Sequence, residues 1–248
     1  MISTHPSPIL KWILKEAHKL ADEGSRCLGV FDLDSTLFDV SPRIQRVLFE
    51  FSQSSEIRNQ HPELSRELSV LKVFQSDWGI RSALARSGLL VELPEVQNLA
   101  RAFWRQKFFS NEYLVHDVPY PGAVHFVQSL YQTGCNIVYL TGRDAPRMGA
   151  GTLEGLRRWG FPIESSRSQL ILKPQAGLDD RQFKADQFSH FKPFDRIWFF
   201  ENEPANLRFV RAAYPEVLGV FIESTHSGQE EPPVDLPRLT HFLLEEES

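Results

Sequence analysis

The chain has 248 residues, 42% of them hydrophobic, which suffices for one large α/β domain or for a core with a smaller companion. Its 27 basic residues against 32 acidic ones leave a formal charge of −5 with no long basic run, which excludes a broad positive surface for long nucleic acids. No apolar stretch is long enough to span a bilayer, and Lys11, Trp12 and Lys15 interrupt the first apolar residues, unlike a secretory signal.

In chain order, Ile9, Leu10, Ile13, Leu14, Ala17 and Leu20 have helical spacing and predict an amphipathic helix packed on the core. Residues 27–31 form an apolar strand that runs into Asp32-Leu33-Asp34-Ser35-Thr36-Leu37. Ser41-Pro42 predicts a helix start, with the serine as cap and Ile44, Val47, Leu48 and Phe51 on the buried side. From about 52 to 119 the periodicity is helical throughout, carried by Ile80, Ala83 and Leu84 and then by Val96, Leu99, Ala100, Phe103, Trp104 and Phe108. The cluster Phe103, Trp104, Phe108 and Phe109 reads as helix packing, with the lining of a substrate pocket as the alternative.

A helix bearing Val124, Val127, Leu130 and Tyr131 follows Pro121-Gly122 and ends at Gly134. The strand Cys135-Asn136-Ile137-Val138-Tyr139-Leu140 runs into Thr141-Gly142-Arg143, and residues 148–159 give a helix closed by Gly160. A strand over 169–172, a helix over 183–191 and strands over 196–200 and 217–222 complete the series. Strands separated by helices imply right-handed crossovers and a parallel sheet covered on both faces, a Rossmann-like three-layer α/β/α sandwich with an all-helical insertion. Residues 224–237 read as a loop and the terminal glutamates as solvated. Cys27 and Cys135 each open an apolar run, where free cysteine serves as a small buried residue, and a reducing, cytoplasmic compartment is expected.

Two aspartates at i and i+2 point the same way from a strand, and no packed core tolerates both charges without a cation or a reaction. The run into Asp32-x-Asp34-x-Thr36-Leu37 resembles the first motif of the haloacid dehalogenase-like (HAD) hydrolases, and three further motifs follow in order. Thr141 ends the second; Lys184, or else Lys173, is the third; Glu201-Asn202-Glu203 stands where the family has an acidic fourth. The resemblance covers about 26–38 and 120–222. It implies a catalytic core of residues 1–38 and 120–248 with a helical cap over 39–119.

What the resemblance implies chemically is a phosphatase-type, Mg²⁺-dependent phosphomonoester hydrolase acting on a small phosphorylated substrate. Asp32 is the expected nucleophile, forming an aspartyl-phosphate, and Asp34 the general acid and base. Thr141, Gly142, Arg143 and Lys184 are the expected phosphate contacts, although Arg143 has the alternative of pairing with Asp144 or a site carboxylate. Asp32, Asp34, Glu201 and Asn202 are the expected metal ligands. The family's dehalogenases do without a second aspartate or a metal, so Asp34 and Glu201 favour phosphate chemistry. The altered fourth motif leaves as an alternative a non-catalytic phosphate-binding or regulatory module, and a phosphotransferase using the same residues would differ only in the shape of its cap. Glu203 at a helix start is also explained by the helix dipole alone.

Overall fold

The computed structural model describes residues 7–89 and 93–244; the terminal glutamates lie outside that span. Six parallel strands form one sheet in the order β5-β4-β1-β6-β7-β8. These are β1 (Cys27–Phe31), β4 (Asn136–Asp144), β5 (Ser168–Lys173), β6 (Arg196–Glu201), β7 (Leu218–Ile222) and β8 (Arg238–Leu239). The two-residue edge strand β8 was not foreseen from sequence, because it is too short to carry a period. Helices cover both faces, so the Rossmann-like α/β/α sandwich is the observed architecture.

Side-chain alternation assigns the faces. Cys27 and Phe31 of β1 and Trp198 and Phe200 of β6 pack with Leu10, Ile13 and Ala17 of α1 (Pro8–Asp22) and with Phe126 and Leu130 of α7 (Ala123–Gln132). Leu28 and Val30 of β1 and Phe199 of β6 face the other way. They meet Phe183 and Phe188 of α9 (Asp180–Phe188) and Leu207 and Val210 of α10 (Pro204–Ala213). The first helix is thus a core helix.

Between β1 and β4 the chain leaves through β2 (Phe38–Asp39) and returns through β3 (Val118–Pro119), which pair antiparallel. The elements described in between are all helical, joined by loops: α2 (Ser41–Ser52), α3 (Ser55–Gln60), α4 (Pro62–Val70), α5 (Gly79–Ser87), α6 (Pro94–Phe108) and a 3₁₀ segment (Asn111–His116). This insert has its own apolar cluster, including Ile44, Leu48, Leu68, Ile80, Leu84 and Ala100. Ser41 lies inside α2 and makes no side-chain cap. The carboxylate of Asp39 takes that part instead, accepting from the Ser41 amide at 2.8 Å. In the core, α8 (Ala145–Trp159) is capped by Asp144, which accepts from the Arg147 amide, and is closed by Gly160 in the left-handed region, φ 81°.

Candidate active site

The order of strand addition reverses at β1, with β4 and β5 to one side and β6 and β7 to the other. Open α/β sheets bind ligands outside the carboxyl ends of their strands at such a switch point. Phe31 is in register with Phe200, so Asp32 leaves β1 opposite Glu201, the last residue of β6. Both carry on the alternation that faces α9, and α9 brings Lys184 between them. Lys184 Nζ donates to Asp32 Oδ1 at 2.7 Å and to Glu201 Oε2 at 2.5 Å. All three groups are at most 5% exposed.

Burial raises the Asp32 carboxyl while Lys184 opposes it, and burial together with Asp32 pushes Glu201 up to about 7. Burial works to lower Lys184, but the two carboxylates outweigh it and keep the ammonium charged. Lys173 answers to a different group. It pairs with Asp180 and donates to the Leu178 carbonyl at 3.1 Å.

Asp34 is held by two guanidiniums. Arg143 reaches its two oxygens at 3.1 and 2.7 Å, and Arg43, from α2, also donates to Oδ1. Burial raises this carboxyl, but Arg143 and Arg43 prevail and hold it well below the usual carboxylate range. Asp117, at the entrance to β3, completes the group. It accepts from Arg143 at 2.7 Å and lies 2.9 Å from Arg43 Nε. The Arg43 guanidinium also stacks on Phe108 at 3.9 Å and donates to its carbonyl at 3.2 Å. Arg143 further donates to Thr152 at 3.2 Å, so four of its five donors are engaged inside the protein. Of the two expectations for Arg143, the structure shows the pairing with a site carboxylate, while the guanidinium also lines the cavity where a phosphate contact is expected. Asp144 pairs with Arg147 instead.

The remaining expected residues divide between cavity and support. Thr141 is fully buried, accepts from the Arg143 amide at 3.2 Å and lies beneath the cavity wall, which begins at Gly142. A Cβ at Gly142 would stand 2.8 Å from the Asp180 carboxylate, the end of a side chain that would have to move aside. Asn202, expected as a metal ligand, is engaged within the protein: its Oδ1 accepts from Thr36 at 3.1 Å and its Nδ2 donates to the Thr225 carbonyl at 2.6 Å.

Glu201 is equally committed. Oε1 accepts the amides of Asn202 and Glu203 at 3.1 and 3.0 Å, and Oε2 accepts Lys184 and Asn206 Nδ2, which fills its four lone-pair positions. Glu203 accepts from the amide and hydroxyl of Ser227. The fold implies Mg²⁺, an ion that takes oxygen ligands, keeps several waters and needs one or two carboxylates beside substrate phosphate oxygens. The Asp32 carboxylate and Asp34 carbonyl fit that requirement; Glu201 and Asn202, as bonded here, do not. Among the described residues no cluster of three or more His, Cys, Asp or Glu side chains is poised around a cation.

Sequence reasoning missed Arg43, Asp117 and Asn206. Arg43 did leave a signal, since it stands one turn before Val47 on the buried side of α2. Asp117 had no period to betray it.

These groups surround a cavity of about 790 Å³ between sheet and helical insert, lined by Asp32, Asp34 and Lys184 below and by Trp104, Phe108 and Phe109 above. Phe103 turns away to pack on Phe51.

No protein-family model and no curated protein matches the sequence. Solved structures do share its fold. A candidate haloacid dehalogenase-like hydrolase from Burkholderia xenovorans LB400 aligns over 88% of this chain and 94% of its own, with TM-score 0.50 and 16% identity. Protein tyrosine kinase A of Mycobacterium tuberculosis aligns over 86% and 93%, with TM-score 0.50 and 16% identity. A candidate phosphatase from Clostridium difficile aligns over 83% and 89%, with TM-score 0.50 and 13% identity. The fold is therefore that of the haloacid dehalogenase-like hydrolases.

Proposed function

We propose that the chain is a phosphomonoester hydrolase that works through an aspartyl-phosphate on Asp32. The observation that carries the reading is Lys184, buried between Asp32 and Glu201 on the floor of a cavity that a phosphate ester could enter. In-line attack by an Asp32 oxygen on phosphorus breaks the bond to the leaving oxygen, and water then releases phosphate and regenerates the carboxylate. Lys184 offsets negative charge at the attacking carboxylate in a site of low dielectric. Mg²⁺, when bound by the Asp32 carboxylate and the Asp34 carbonyl, would supply further positive charge to the phosphate oxygens.

Asp34 is the nearest group for moving the leaving-group proton. It does so only after exchanging a guanidinium partner, because a carboxylate held this far below its ordinary range carries no proton to give. Since Arg43 belongs to the insert, movement of the insert would release one of the two guanidiniums from Asp34 and leave Arg143 in place. Residues 39–119 act in this reading as the cap.

The test is phosphate release from an aryl phosphate, with and without Mg²⁺, by the wild type and by Asp32→Asn. Release that requires Asp32 supports the proposal. Release undiminished in Asp32→Asn refutes it. A second reading, a phosphate-binding module without turnover, is favoured by the full hydrogen-bond complement of Glu201. Calorimetric binding of a phosphorylated ligand in saturating Mg²⁺, with no phosphate released, would select it.

A further inference from the structure

The roof of the cavity carries three exposed arginines, and among the described residues no carboxylate pairs with them. Arg101 and Arg105 stand one turn apart on α6, and Arg81 lies on α5, whose first residue, Gly79, abuts the Trp104 ring on α6. All three line the same cavity as Asp32 and Lys184.

The other cations of that lining are each neutralised: Lys184 by Asp32 and Glu201, Lys173 by Asp180, Arg181 by Asp179, and Arg143 by Asp34 and Asp117. Asp77, the acid contributed by the insert, belongs to Arg86. Among the described residues, Arg81, Arg101 and Arg105 take part in no ion pair or hydrogen bond. Like charges at i and i+4 of a helix repel, and here they do so in a chain whose formal charge is −5. The Trp104 indole N–H, on the turn between them, is buried without an acceptor.

We infer that the site takes a phosphomonoester bearing a second anionic group, a phosphate or a carboxylate, at the end remote from the reacting phosphate. Arg81, Arg101 and Arg105 are the residues that recognise that group. The inference rests on the phosphomonoester reading of the floor and adds the chemistry of the roof. A guanidinium pairs with carboxylate or phosphate through two parallel hydrogen bonds, and three of them on two helices admit an anion without fixing its identity. The aromatic faces of Trp104 and Phe109 supply the apolar wall between the two charged ends.

The experiment compares kcat/KM in Mg²⁺ for alkyl phosphates of one chain length ending in hydroxyl, carboxylate or a second phosphate. The wild type should favour the doubly anionic substrates by about tenfold or more, the value of one charge-assisted contact, chiefly through KM and less so at high salt. In Arg101→Gln/Arg105→Gln the ratio between doubly and singly anionic substrates should fall toward one, and in Arg105→Glu it should invert. Thermal melts identify any variant that fails to fold, and the wild-type ratio stands independently of them. The carboxylate and phosphate arms distinguish the two sources of charge.

Equal kcat/KM across the series, with turnover still dependent on Asp32, overturns this inference and leaves the hydrolase reading intact. If no substrate turns over, calorimetry of alkyl phosphonates with and without a terminal phosphonate decides. Tighter binding of the bisphosphonate that is lost in the double variant keeps the roof assignment while the hydrolase reading falls, and equal binding removes both.

Discussion

At the residue scale the central object is one buried cation shared by two carboxylates. Replacing Lys184 by Met leaves Asp32 and Glu201 facing each other without a counter-charge, and loss of one partner from a buried pair costs about 3–5 kcal/mol. Urea unfolding of Lys184→Met should show a deficit of that order, and phosphate release should be lost with it. Asp32→Asn removes the attacking oxygen while keeping the shape. Its rate should drop by about a thousandfold or more, the scale seen when a nucleophile is removed, with much less effect on stability.

Asp32 and Lys184 were legible because each follows from a pattern, a strand running into an acid and a lysine near a helix start. The commitments of Glu201 and Asn202 were not legible. They depend on which side chains the turn at 202–203 and the first residues of α10 direct inward, and sequence spacing does not carry that.

At the element scale, Arg43 joins the insert to the core. It is fully buried, stacked on Phe108 of α6 and in contact with both Asp34 and Asp117. Arg43→Met should cost about 3 kcal/mol or more by urea unfolding, and adding Asp117→Asn should recover part of that cost, because the second change removes a carboxylate the first left exposed to Asp34. Strict additivity of the two changes would show that the four-charge group is not a unit.

The order of core strands and helices was readable because buried strands and amphipathic helices have different periods. Helix starts were less so. Ser41 has the right residue type for a cap, yet Asp39 two positions earlier supplies the acceptor. Another local constraint is Gly122, whose φ of 76° and contact with the backbone of Phe242 leave no room for a side chain, since a Cβ would stand 2.4 Å from the Phe242 carbonyl. Gly122→Ala should therefore destabilise by about 1–3 kcal/mol.

At the scale of the whole molecule, stability should depend on pH through His116, in the segment that leads from the insert back to the core. Burial, with Arg46 second, lowers its imidazole below the ordinary 6.5. The unfolded chain then takes up the proton first as pH falls. This contribution is full above about 6.5 and declines as pH drops through the folded value. Melting temperatures between about pH 5 and 7 should show it removed in His116→Asn, while Glu201, raised to about 7, acts with the opposite sign over the same range.

The sheet itself imposes an order of events on the nascent chain. Strand β1, which delivers Asp32, pairs only with β4 and β6, so its partners are not made until the entire helical insert has been synthesised. The insert carries its own apolar cluster and can condense on the ribosome while β1 still waits with both edges bare. Refolding from denaturant removes that vectorial advantage, and the nucleophile's strand becomes the part of the molecule most open to mispairing.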